Sequence, residues 1–515
     1  MCIIQEQKGG NKKMDNIDKY YNFSAYTRIP TCMISEEVTG IYGNALLKEL
    51  NEIIKYYDIY ENGAPFIPDT NEDIAPIQYR SKIAQKLINK EARFMFATAP
   101  DVLIDTPVIN TGIDDDEVAR QQSILQTYVN NVLKANKFSR KLIPAAKDCF
   151  IGKRIAWVVN FSEDTNKIVI SFIPSLGFVA TYTDDDSETL EKLIIFYCIQ
   201  DGKKREEQRI YRKRYYMENK RCVIDEGIFD GGGDLVEDYG TIRTPFEYIP
   251  GGVIINDGLT GDVSGVSEIA ELMESESWYN KMESSDMDSE RKSMNSIFYT
   301  VDADPDTTAK IKNRPGAYWD LATDDNAENK TAAVGLLEPN MSYSTPLANT
   351  LNRIRAELYE QVDMPDTSSS ALQGIVTSGK TLKAIYWSLM VRCDEKFASW
   401  RVAFEHMIKT IIDGGKFYPA IANTYVKENL PNIEYEIIIE NNYPIQDDQT
   451  EEKEMDLAEV QQGTMSKKAY MQKWRKLSDD EAEKELQQMA IERQYEDTAY
   501  FPVSSVLQQK EKEEI

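Results

Sequence analysis

The residues Gly374-Ile-Val-Thr-Ser-Gly379-Lys380-Thr381 match the spacing G-x-x-x-x-G-K-[ST], in which backbone amides cradle phosphates and the lysine reaches the terminal one. That chemistry needs a buried strand running straight into the glycine loop, because the strand end and the helix start form the anion pocket between them. The residues upstream, Asp363-Met-Pro-Asp-Thr-Ser-Ser-Ser-Ala-Leu-Gln373, hold no run of β-branched side chains and read as a flexible polar loop. The pattern therefore reads first as a loop after which Gly379 opens a helix. A nucleotide site stands as the alternative. It also requires an apolar strand ending in an acid to hold Mg2+, for which Ile437-Ile-Ile-Glu440 is the nearest match. Other chemistry is thinly represented. His406 is the one histidine, beside the apolar stripe of a helix, and reads as a packed structural residue. Cys2, Cys32, Cys149, Cys198, Cys222 and Cys393 stand far apart with no C-x-x-C pair, which argues for a reducing compartment and against a zinc site or a disulfide framework. The expectation is a protein with no catalytic residues, no metal and no cofactor.

The elements around the loop are unusual for an enzyme core. After it, Leu382, Ile385, Leu389, Cys393, Phe397, Trp400, Phe404, Met407 and Ile411 recur at steps of three or four and predict one helix of roughly 50 Å, stopped by Asp413-Gly414-Gly415. Before it, Thr345-Pro346 starts a helix whose stripe is Leu347, Leu351, Ile354 and Leu358, ending at Val362. Further helices are expected at Asn44–Tyr57, Ile77–Phe96, Glu117–Lys134 and Ser267–Asn295. From Lys153 the period becomes two: Ile155, Trp157, Val159 and Phe161 alternate, Asp164-Thr-Asn166 turns, and Lys167–Ile173 returns. Strands follow at Gly177–Tyr182, Glu191–Gln200, Gln208–Met217 and Arg221–Ile224, and later at Ile297–Val301, Ala317–Leu321 and Asn432–Glu440, the last expected to rejoin the earlier sheet. Beyond Glu451 the chain is helical and charged, with breaks at Gly463 and at the capping box Ser478/Glu481.

At 515 residues the chain can bury a large core, and 42% hydrophobic content fits a folded protein. No apolar run approaches the roughly 20 residues of a membrane span. The net charge is −27, the opposite of a protein that grips DNA phosphates, but the useful sign for a wall past which DNA must slide with little adhesion. Arg209, Arg212, Lys213, Arg214 and their neighbours form the one basic strip; it reads as cations awaiting acidic groups, on a neighbouring subunit, in preference to a nucleic-acid surface.

The order helix, polar loop, long helix, with Ile354–Pro365 (I-R-A-E-L-Y-E-Q-V-D-M-P) and Ser378-Gly-Lys-Thr-Leu-Lys-Ala384, resembles the portal proteins of tailed double-stranded DNA bacteriophages of the siphophage type. Ser81–Pro100, Asn136–Phe161, Tyr248–Ser267 and Gln462–Lys468 with Ser478–Glu492 extend the resemblance. It implies an α+β portal fold: an amino-terminal segment (1–44), a wing of helices and antiparallel strands (45–266), a first stem helix (267–295), a small clip (296–337), a second stem helix (345–362), a channel loop (363–377), a long kinked helix (378–413), a strand returning to the wing (414–447), crown helices (448–497) and a tail (498–515). It implies a ring of twelve copies at one capsid vertex, through which DNA is packaged, retained and ejected. The implied partners are the major capsid and scaffolding proteins, the terminase large subunit, the head–tail connector and passing double-stranded DNA, with no membrane; the location is the virion, and host cytoplasm during assembly. On this reading Asp363, Asp366, Thr367, Ser368, Ser369, Ser370 and Gln373 belong to the channel loop, and Glu268, Glu271, Glu274, Glu283 and Asp286 line the channel. The competing readings are a packaging-motor-like nucleotidase using Gly374–Thr381, or another connector ring of the virion.

Overall fold

The computed structural model describes residues 41–68, 75–105, 115–183, 186–200, 207–259, 261–293, 297–309, 321–326, 331–337, 342–366, 379–444, 450–475 and 482–490. The chain divides into two compact units, Met1–Leu372 with Ile385–Pro444, and Gln373–Ala384 with Ile445–Ile515. In the first unit, helices α1 (Ile41–Asn62) and α2 (Ile83–Met95) precede β1 (Asp101–Asp105), α3 (Asp115–Ala135) and α4 (Phe138–Gly152). Eight strands follow: β2 (Arg154–Ser162), β3 (Lys167–Pro174), β4 (Phe178–Thr183), β5 (Asp186–Gln200), β6 (Arg209–Glu218), β7 (Arg221–Phe229), β8 (Leu235–Arg243) and β9 (Gly251–Ile255). Then come α5 (Glu268–Ser293), β10 (Ile297–Val301), a helical turn at Pro305–Thr308, β11 (Ala333–Leu337) and α6 (Ser344–Glu360). Helix α8 (Trp387–Phe417) and β12 (Glu436–Glu440) close the unit; α7 (Gly379–Ile385), which precedes α8 in the chain, belongs to the second unit but for its last residue.

All ladders are antiparallel: β3-β2-β9, β4-β5-β6-β7-β8, β10-β11 and β1-β12. Strand β2 is the axis of the unit. The sequence alternation assigns it one apolar face, yet Ala156 and Val158 are as buried as Trp157 and Val159. The reason is a layer on each side. Trp157 meets His406 of α8 edge-on at 5.2 Å, while Asn160 points the other way and accepts from Lys213 and Tyr215 of β6.

Helix α8 presents Leu389, Cys393, Phe397, Trp400, Phe404, Met407 and Ile411 to the core, all in the expected stripe. Phe96 packs on Trp400 and Phe138 on Phe404, both edge-on. The long helix, expected to be kinked, is interrupted at Tyr386, whose ring stacks on Phe94 at 5.4 Å. One expectation fails here. Gly414 and Gly415 do not end it, since the helix runs on to Phe417. They are small for packing reasons: a Cβ at Gly414 would overlap the Phe161 ring, and one at Gly415 the Tyr128 ring.

Other differences have equally local causes. Residues 77–82, expected as helix, are extended because α5 holds them (below). Strand β12 does not join the wing sheet; it pairs with β1, a strand the sequence reading missed. β8 and β9 were also missed, being glycine-rich and mostly non-alternating. The expected strand Ala317–Leu321 and the capping box at Ser478/Glu481 lie outside the described residues, Leu321 excepted.

The second unit contains α9 (Thr450–Gln462), α10 (Lys467–Arg475) and α11 (482–490). Gly463, at φ +80, ends α9 as its position suggests.

Replacing Gly414 with alanine is expected to cost about 1–3 kcal/mol through overpacking against Phe161. Thermal unfolding of G414A checks this, with F161L/G414A recovering part of the loss; an unchanged midpoint in G414A contradicts the packing role.

Candidate functional site

Helix α5 carries the acids that the resemblance assigns to a channel lining, Glu268, Glu271, Glu274, Glu283 and Asp286. The structure gives it three faces with different uses. On the first, Glu276, Asn280, Ser284 and Asp288, spaced by four, accept the backbone N–H groups of Ile83, Ser81, Tyr79 and Ile77, spaced by two, at 2.8–3.1 Å. The match is geometric: four helical residues rise about 6 Å and two extended residues about 6.6 Å, so the helix serves as a surrogate strand edge. Glu276 and Asn280 are fully buried in this contact. Burial pushes the Glu276 carboxyl up to about 7, against the amides of Ile83 and Ala84 that pull it down.

Ile269 and Leu272 continue the first face toward the start of α5. The second face meets α6, where Gln361 donates to Ser275. At its head lies a buried charge cluster. Arg392 Nη2 donates to Glu268 Oε2 at 2.6 Å and Nε to Glu91 Oε1 at 3.3 Å, and Lys396 Nζ donates to both carboxylates. Glu271 and Asp363 stand 3.5 and 3.9 Å from the same guanidinium. Glu91, Glu268 and Lys396 are almost inaccessible. Burial pushes the Glu268 carboxyl up, but Lys396 and Arg392 outweigh it and hold the group below its usual range. Burial and the neighbouring Glu268 charge leave Glu91 above its own.

Of the residues assigned to a channel lining, Glu268 is therefore a correction: 2% exposed and committed to two cations, it lines nothing. Glu283 and Asp286 are half-buried. The third, open face of α5 keeps Glu271 and Glu274, with Trp278 (53% exposed) beside them.

The basic strip is a second correction. Arg212 and Arg214 both donate to Asp225, at 3.2 and 2.9 Å, and Lys213 lies 3.7 Å from Glu226 and donates to Asn160. Arg212 also stacks over Phe229. The acids come from β7, the adjacent strand, so Arg212, Lys213 and Arg214 find carboxylates within their own chain; Arg209 donates to the Gln208 carbonyl. Sequence reading missed this because Asp225 and Glu226 fall opposite Arg214 and Lys213 only in the observed register.

Of the channel-loop residues, Asp363 and Asp366 are described; Thr367, Ser368, Ser369, Ser370 and Gln373 lie outside the described residues, as does most of the glycine motif. Asp363 adopts a left-handed φ of +50 and, with Met364 N donating to the Tyr359 carbonyl, ends α6 in a Schellman turn. Residues 361–366 contain no strand, and β12, the proposed Mg2+ strand, sits in a two-stranded antiparallel ladder. β12 does not match the strand-to-helix frame that the phosphate site requires, and the residues leading directly into Gly374 lie outside the described residues. His406 is wedged between Trp157 and Tyr248, and burial holds it down to about 4, as befits a structural residue. Among the described residues no group of acids, cysteines or histidines could hold a metal ion, and no helix is long and apolar enough to cross a membrane.

Two outcomes are expected. Lys396→Met leaves two buried carboxylates with one cation, a loss of about 3–5 kcal/mol measurable by denaturant unfolding. A loss below about 1 kcal/mol contradicts the pairing. For Glu276 the raised folded value means its contribution to stability is full below about pH 4.5 and is lost as pH rises through about 7. The thermal midpoint of the wild type should thus fall more between pH 5 and 8 than that of E276Q; parallel curves speak against a buried, proton-binding Glu276.

The model of the phage portal protein family, SPP1 Gp6-like, matches residues 11–499. No curated protein matches. The match spans nearly the whole chain, α5, α6 and the β10–β11 ladder between them included, and the chain belongs to the phage portal protein family.

Proposed function

We propose that copies of this chain form a ring, of twelve subunits on the siphophage pattern, that serves as the DNA conduit at one vertex of a phage capsid. The observation that carries the reading, beyond family membership, is the stem hairpin. Among the described residues, α5 and α6 bury only Ile269, Leu272 and Leu358 as apolar side chains, while Leu347, Leu351 and Ile354 remain half-buried and Trp278 exposed. Helices draw their stability in proteins from packing an apolar face. A hairpin with so little of its own core is suited to packing between like neighbours.

In this reading the β10–β11 ladder is the clip that meets the terminase large subunit and later the head–tail connector, and the wing meets the capsid and scaffolding proteins. The segment from Asp363, with Asp366 at its base, forms the channel loop that touches passing DNA. Its acids carry the wrong charge to hold phosphates, so contact falls to the serines, Thr367 and Gln373. Glu271 and Glu274, on the open face of α5, are the remaining candidates for the low-adhesion wall. The chain works as a mechanical and electrostatic guide, with nucleotide hydrolysis left to a separate motor.

Negative-stain electron microscopy of the purified protein is expected to show hollow toothed rings, and calorimetry with ATP and Mg2+ no binding. A monomer at every concentration, or nucleotide binding abolished by Lys380→Ala, would sink the conduit reading and restore the nucleotidase.

A further inference from the structure

Residues 75–83 lie along α5 as an extended strap whose backbone is held by side chains. Arg291 donates to the Ala75 carbonyl at 3.0 Å, and Asp288 accepts from Ile77 N–H at 3.1 Å. Ser284 accepts from Tyr79 N–H and donates to the Tyr79 carbonyl, each at 3.0 Å. Asn280 accepts from Ser81 at 2.8 Å and Glu276 from Ile83 at 2.9 Å. Among the described residues no β-ladder includes the strap.

The strap has little apolar burial of its own. None of residues 75–80 is buried, and Tyr79 is 41% exposed. The core resumes in α2, where Ile83, Ala84, Leu87 and Ile88 are buried. Exchanging protein hydrogen bonds for water changes the free energy little, whereas withdrawing apolar side chains changes it much. The strap can therefore lift at a cost well below that of unfolding α2.

Glu276 sits where strap and helix meet. Lys82, at the N-cap of α2, supplies no side-chain cap, and the first amides of a helix lack intrahelical partners. Glu276 serves them from α5 instead. The groups acting on its carboxyl are the amides of Ile83, Ala84 and Ala64 and the Lys86 ammonium of α2. Burial outweighs them and holds the seated group up to about 7; lifting the strap returns it to water and to the usual carboxylate range. A value raised in the seated state means that protons favour seating, which weakens as pH climbs from about 4.5 through 7.

We propose that residues 75–83 are a proton-gated strap, seated on α5 while Glu276 is protonated and lifting more readily, as a unit and with α2 intact, once Glu276 is ionised. The device sets how tightly α5 is tied to α2, so the freedom of α5 grows with pH. It belongs to the single chain and stands whether or not copies form the ring.

Hydrogen–deuterium exchange of the full-length protein at pH 6 and 8, with each rate divided by the intrinsic chemical rate at that pH, reads the opening. Protection of Ile77, Tyr79 and Ser81 is expected to fall about tenfold from pH 6 to 8, while Leu87, Ile88 and Ala92 of α2 keep theirs. In E276Q the strap should be equally protected at both pH values. S284A, which removes two strap bonds without touching Glu276, should lower strap protection at both and keep the tenfold ratio. An equal fall in E276Q, no fall in the wild type, or strap protection lost only together with that of α2 overturns the proposal. Should E276Q not fold, the wild-type and S284A ratios, strap against α2 in one sample, decide it.

Discussion

The first unit depends on two cations of one helix. Arg392 and Lys396, a turn apart on α8, bind Glu91 of α2 and Glu268 at the head of α5, so three elements distant in sequence converge on one charge cluster. Burying charge is costly, and a cluster of this kind stabilises little relative to apolar packing. What it offers is direction. A hydrophobic contact tolerates sliding, whereas two donors facing two carboxylates admit one register. That suits the junction where α5 departs from the strands that precede it. The neighbouring junction repeats the device: Arg154 grips Glu49 through both nitrogens at 2.9 Å, joining α1 to the start of β2.

Polar contacts also explain the composition of α5. A helix this acidic looks made for solvent, yet among its buried positions Glu276, Asn280 and Ser284 are polar because their partners are backbone amides. Each such hydrogen bond contributes about 0.5–1.5 kcal/mol net, but leaving a buried N–H without a partner costs more. The ladder therefore acts chiefly by excluding alternatives. The extended conformation of residues 77–82 follows from the helix beside them, whose acceptors match its period.

The legible parts of this sequence were those governed by local periodicity. The stripe of α8, the β2–β3 hairpin with Asn166 at φ +48, and the stop at Gly463 are set by residues within a few positions of each other. The portal resemblance was legible through the order of such elements. What was not legible depended on partners far along the chain. Gly414 and Gly415 look like a helix stop until Phe161 and Tyr128 are placed against them. Glu268 looks solvent-facing until Lys396, on a helix more than a hundred residues later, arrives beside it. Arg212 and Lys213 look available until β7 aligns Asp225 and Glu226 with the strip. In each case the residue type was read correctly as charged or small, and its neighbour was missing.

These placements change where a low-adhesion surface has to come from. The acids most deeply buried, Glu91, Glu268, Glu226 and Glu276, are committed within the fold and contribute little to an outer potential. Arg212, Lys213 and Arg214 of the basic strip are likewise paired with acids of their own chain. Among the described residues, exposed carboxylates such as Glu271 and Glu274 carry the remaining acidity of α5. Screening limits each of these to about 10 Å at ordinary salt. A bore wider than that from wall to duplex would hardly sense them, so electrostatic guidance requires the wall to approach DNA closely. In such a conduit, narrow segments guide and wide segments only contain, and the charge that matters is the charge at the constriction.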